Sequence, residues 1–141
     1  MQQNIGIRLV ALFAVAAGVG LACIIVPPFL LADGIHRNYT APLFPMLRTA
    51  WENLALAPTV FALVSLGLVL GAIQPRFWYV LGGSPVALLP IAAAMEMIVS
   101  PTSHNLWPLE LLLYSIMGLP SFLGAFVGSR LRLWFRTRHA A

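Results

Sequence analysis

Polar positions interrupt this chain at only a few places, and long apolar stretches lie between them. A membrane-crossing helix needs about 20 apolar residues, because a rise of about 1.5 Å per residue must cover a hydrocarbon core of about 30 Å. Four segments meet that length: residues 5–26, 54–73, 77–99 and 108–129. Pro27-Pro28 is expected to stop the first, since proline lacks an amide and clashes with the preceding turn. Gln74-Pro75-Arg76 closes the second. In the third, Val86 to Val99 alone would cover only about 21 Å, so the helix must carry through Gly82-Gly83-Ser84-Pro85. A kink or broken turn is therefore predicted near Pro85, and a second kink near Pro120 in the fourth segment. The pattern predicts an all-α integral membrane four-helix bundle, a single transmembrane domain over residues 1–141 with a loop at 27–53.

Charge orients this arrangement. Arg8, Arg76, Arg130, Arg132, Arg136 and Arg138 fall at the start, in the short second loop and in the tail, which share one side if there are four crossings. Arg37 and Arg48 fall on the other side. Basic residues concentrate on the cytoplasmic side, so both termini are expected inside (N-in, C-in) and loop 27–53 outside. Trp51, Trp107, Phe77, Trp78, Tyr79, Trp134 and Phe135 lie near the predicted interfaces, as an aromatic belt requires. Asn38-Tyr39-Thr40 matches a glycosylation acceptor by chance alone in a bacterial chain.

Composition agrees. Residues are 60% hydrophobic and 9% charged, where a soluble domain carries about 25% charged residues. Mean hydropathy is +0.90. The net charge of +4, which in a soluble protein would suggest nucleic acid, is accounted for by topology. All eight basic residues are arginine, pointing to a GC-rich bacterial genome and hence to the inner membrane. The first apolar run exceeds the roughly 7–15 residue core of a signal peptide, so it is read as a retained helix. Cys23 is the only cysteine, which excludes an intrachain disulfide.

Lipid tails give helices no hydrophobic reason to associate, so small residues that let backbones approach must supply much of it. Gly67 and Gly71 form a GxxxG in the second span, Gly124 and Gly128 another in the fourth; Ala16 and Gly20 give a weaker pair in the first. Down the fourth span, Glu110, Tyr114, Gly118, Ser121, Ala125 and Gly128 recur at steps of three or four. That stripe is expected to face protein, either this chain or a second subunit.

The acids are Asp33, Glu52, Glu96 and Glu110, all assigned to the external side with His36 and His104, leaving His139 inside. Asp33 with Arg37 and Arg48 with Glu52 have the four-residue spacing of helical surface pairs. Glu110 opens a helix, where a carboxylate meets the positive end of the dipole, and Pro108 suits the same first turn. Glu96 lies in the last turn or so of the third span among apolar neighbours, where an ionisable group is a functional candidate by default. The connector SPTSHNLWP joins antiparallel neighbours, with Pro101 stopping one helix, Ser103 or Asn105 capping the next and Trp107 anchoring it. Glu96, His104 and Glu110 are thus expected near one another, as a shared-proton, cationic-ligand or divalent-metal site.

Length and span count resemble the membrane-associated eicosanoid and glutathione metabolism enzymes, and Arg48 to Leu54 (RTAWENL) is similar to their arginine–asparagine–glutamate motif. However, Asn53 follows Arg48 by five, no acid follows Asn53 in the second span, and the tail departs from their pattern. Small multidrug transporters are similar in size but carry a glutamate in the first span, which here has none. Phosphate loop, Ser-His-Asp and Cys-x-x-Cys patterns do not occur. The reading is a small polytopic membrane protein acting as an accessory, structural or partner-binding subunit, in contact with lipid and with a second copy or another membrane protein. Its alternatives are a transporter or channel subunit using Glu96, His104 and Glu110, and a small membrane enzyme built on the same residues. No cofactor is specified.

Overall fold

The computed structural model describes residues 2–31, 57–99 and 107–138, together with most of their side chains. The loop pairs Asp33–Arg37 and Arg48–Glu52, the Asn38-Tyr39-Thr40 triplet, the connector 100–106 with His104, and His139 lie outside the described residues.

Apart from the linking residue Gln74, everything described is helical or a tight helical turn. Helix α1 covers Gln2–Leu31 and α2 Ala57–Ile73. A 3-10 turn at Pro75–Phe77 leads into α3, Trp78–Gly83. A second 3-10 turn, Ser84–Val86, leads into α4, Leu88–Val99, and α5 covers Trp107–Arg138. Three stretches are long and apolar enough to cross a membrane: Gly6–Ile24, Pro75–Met95 and Pro108–Arg138. Helix α2 is apolar but shorter, 17 residues.

One sequence expectation needs correction. Pro27-Pro28 does not stop the first helix, which runs on to Leu31. Proline's fixed φ is itself helical, and this close to a helix end the missing amides forfeit two backbone bonds without forcing the chain to turn. Beyond the segment 108–129, α5 continues as helix to Arg138, because RLRLWFR contains no glycine or proline to end it. The break near Pro85 takes the form of the Ser84–Val86 3-10 turn, whereas α5 continues as helix through Pro120.

Among the described elements, helices α2 and α5 make the most extensive contact. The buried face of α2 is Thr59, Leu63, Gly67, Leu70 and Gly71, spaced by three and four as one face of a helix requires. Gly67 seats on Ser121 and Gly71 on Ala125; Gly124 seats on Val64 and Gly128 on Leu68. Partner numbers rise together, so the two helices run parallel. One core cluster joins Ile24, Leu63, Leu89, Ala93, Tyr114 and Met117, and the other joins Ala16, Leu70 and Leu81, with Leu9, Leu12 and Leu66 against it. These contacts give the molecule two ends. Arg8, Pro75–Phe77 and the C-terminal part of α5 share one; the end of α1, the start of α2, the end of α4 and the start of α5 share the other. Outward faces carry large apolar side chains such as Phe61, Val69, Ile91, Leu112, Leu119 and Leu123, a surface suited to lipid contact.

Candidate functional site

The predicted acid cluster is described only in part. Glu96 is on α4 one turn beyond the buried Ala93, and Glu110 is in the first turn of α5 one turn before the buried Tyr114. Both backbones therefore lie at the same end, and the Glu110 side chain is half-buried. The Glu96 side chain and His104 lie outside the described residues, as does the Trp107 side chain. Among the described residues no group of three His, Cys, Asp or Glu side chains is assembled that could hold a metal.

What the structure describes fully is the seam between α2 and α5 and its link to the broken third helix. The stripe residues Tyr114, Gly118, Ser121, Ala125 and Gly128 are buried together with Gly124, and across from them so are Gly67 and Gly71. A β-carbon placed on Gly67 would fall within 3.0 Å of three backbone atoms of Ser121, and one on Gly71 within 3.0 Å of three of Ala125. A β-carbon on Gly124 would overlap the Val64 carbonyl oxygen, and one on Gly128 that of Leu68. In each case the glycine α-hydrogen points at a carbonyl instead, the arrangement of a Cα–H···O contact. Only glycine permits this approach, and it is made twice from each helix.

The break in the third helix is closed by the same seam. Pro85 has no amide, so the Leu81 carbonyl loses its usual partner four residues on. The Ser84 hydroxyl donates to that oxygen at 2.7 Å. The Ser121 hydroxyl donates to the carbonyl of Gly82, at the end of α3, and also to Gly118 O at 3.1 Å. Ser84 and Ser121 are completely buried (0% exposed), so each hydroxyl meets an oxygen that water cannot reach. Gly20 of α1 lies against the backbone of Pro85, so close that a β-carbon there would overlap it. The turn is thus filled by protein on two sides. Trp78, half-buried, packs edge-on against Phe122 and Phe126 with ring centroids 4.9 and 5.3 Å away, a contact within the chain. Among the described residues, Thr59 Oγ1, near the start of α2, is buried without a hydrogen-bond partner.

Sequence reasoning found the glycines but missed the serines' work on the Leu81 and Gly82 carbonyls, the Gly20–Pro85 approach and Thr59. A signal for the serines was present: both Ser84-Pro85 and Pro120-Ser121 place a hydroxyl beside a proline, where a freed carbonyl needs a donor. No family model matches the chain, and neither a curated protein nor a solved structure matches it.

Proposed function

We propose that this chain is a four-span membrane protein of the bacterial inner membrane, N-in and C-in, that works by association, as an accessory or structural subunit for a second copy or another membrane protein. One observation carries this reading: the described interior is given over to backbone contact. Glycines of α2 and α5 seat on one another's helices, Gly20 seats on Pro85, and the buried hydroxyls of Ser84, Ser121 and Ser129 donate to carbonyls of this same chain. The seam thereby holds the helices at fixed spacing and presents their apolar outer faces as a rigid surface. Six arginines at one end support the orientation.

A second reading, a transporter or channel subunit, is favoured by the interrupted third helix, since discontinuous helices often build binding sites. It would use Glu96, His104 and Glu110 as a proton or cation site. The filled surroundings of Ser84–Val86 weigh against a ligand at the break itself.

Extraction of the tagged full chain with its native lipid in polymer discs, followed by mass measurement, distinguishes the two. Association predicts a second copy or a second membrane protein at constant stoichiometry, unchanged by Glu96→Gln. A solitary chain that, once reconstituted, moves protons or cations and loses that flux in Glu96→Gln overturns it in favour of the transporter.

A further inference from the structure

The last turns of α5 carry a feature that helix packing does not use. Arg130, Arg132, Arg136 and Arg138 are all exposed, as are Arg8 and Arg76, which the fold brings to the same end. Among the described residues this end holds six arginines and no acid. Arg130 lies over the Phe126 ring at 5.1 Å and Arg138 over the Trp134 ring at 3.9 Å. Phe126, Arg130, Trp134 and Arg138 are spaced by four, so they form one ladder of alternating rings and guanidiniums along the helix. Arg76 lies over Phe77 at 5.8 Å. A guanidinium held by its face against a ring keeps its N–H edge free, and that edge matches a phosphate oxygen pair.

We propose that this end of the molecule is a binding collar for anionic phospholipid headgroups. The helix itself fixes the depth. About 20 residues from Pro108 cross the hydrocarbon core, ending near Val127, so the next turns stand in the headgroup layer. Arg130 and Arg138 point to one side of α5, while Arg132 and Arg136, two residues out of step, point to the other. Charge all round a helix fits a rod standing among phosphates; a helix lying on the surface would gather its charge on one face. Leu131, Leu133, Trp134 and Phe135, exposed between the arginines, suit the apolar floor of that layer. The collar rests on the membrane reading alone and is independent of orientation and of any partner protein.

The test uses the full chain in lipid discs of phosphatidylcholine, with spin-labelled phosphatidylglycerol or spin-labelled phosphatidylcholine as the probe, and reads the relative association of each with the protein. Wild type should prefer the anionic lipid, with the preference falling as salt rises. Paired Arg130→Gln and Arg138→Gln should cut the preference by about fivefold for each arginine if the contributions add. Trp134→Leu should weaken it while leaving charge unchanged. Equal association of both probes with wild type, or an unchanged preference in the glutamine pair, overturns the collar. So does a co-purifying nuclease-sensitive polymer or acidic protein that displaces the anionic probe. A chain that fails to enter the discs overturns the membrane reading, a distinct result; an unchanged Trp78 near-ultraviolet signal verifies folding of the variants.

Discussion

Alanine substitution of the seam glycines separates backbone contact from mere helix propensity. At Gly67 a β-carbon would sit within 3.0 Å of Ser121 backbone atoms, where a carbon–oxygen contact ordinarily needs about 3.3–3.6 Å. The obstacle is backbone, so α2 and α5 must separate by about 1 Å, and a gap of that size forfeits about a quarter to a half of each dispersion contact along the seam. Overpacking of this kind costs about 1–3 kcal/mol. Losing part of four Cα–H···O contacts, at about 0.5–1 kcal/mol each, adds about 1–2 kcal/mol. Against this, alanine gains about 1 kcal/mol in helix propensity over glycine. The net expectation is a loss of about 1–4 kcal/mol for Gly67→Ala, Gly71→Ala, Gly124→Ala or Gly128→Ala. Gly18 and Gly83 have nothing within 4 Å of such a carbon, so alanine there should be neutral or stabilising. Gly118 meets only Val86 Cγ2 at 3.0 Å, the far end of a side chain that can move, and should change by less than about 1 kcal/mol. Reversible unfolding by sodium dodecyl sulfate in mixed micelles, followed by tryptophan fluorescence, measures the series. If the four seam variants are as stable as Gly18→Ala, backbone contact does not hold these helices together.

Two further outcomes are expected. Ser121→Ala should destabilise the protein by about 1–3 kcal/mol in the same assay, because the Gly82 carbonyl loses its donor from α5 at a site closed to water, and Ser115→Ala, an exposed hydroxyl bonded to Leu111 O, should stay within about 0.5 kcal/mol. Reporter fusions after Ala141 should read cytoplasmic and those within residues 34–42 external; a periplasmic C-terminal reporter would reverse the orientation and move the acid cluster inside.

Much of the helical content was legible in the sequence because bilayer thickness turns apolar length directly into span count, and because a 14-residue run could not reach across without the segment before it. The glycine pairs were legible as candidates, but their partners were not. Nothing in Gly67-x-x-x-Gly71 says that it meets Ser121 and Ala125 of the same chain and not a second subunit; that depends on depth and rotation, which all helices set together. Proline was misread at 27–28, where the rule that proline ends helices ignores its helical φ. At 85 it was read as a break without the donors that make the break tolerable, since one of them, Ser121, is supplied from another helix. The tail was read only as arginines and aromatic residues at the interface, with no conformation assigned, yet its lack of glycine and proline already favoured continued helix.

The claim on which the rest depends is that α2 and α5 run parallel in backbone contact. Pairwise cysteine crosslinking between residues 60–72 and 118–130, in a Cys23→Ala background in native membranes, tests it directly. The fold predicts that crosslinks form near Val64 with Gly124 and Leu68 with Gly128, and that the efficient partner moves up α5 as the first cysteine moves up α2. Efficient partners that move down α5, or a set of positions showing no helical periodicity, would contradict it.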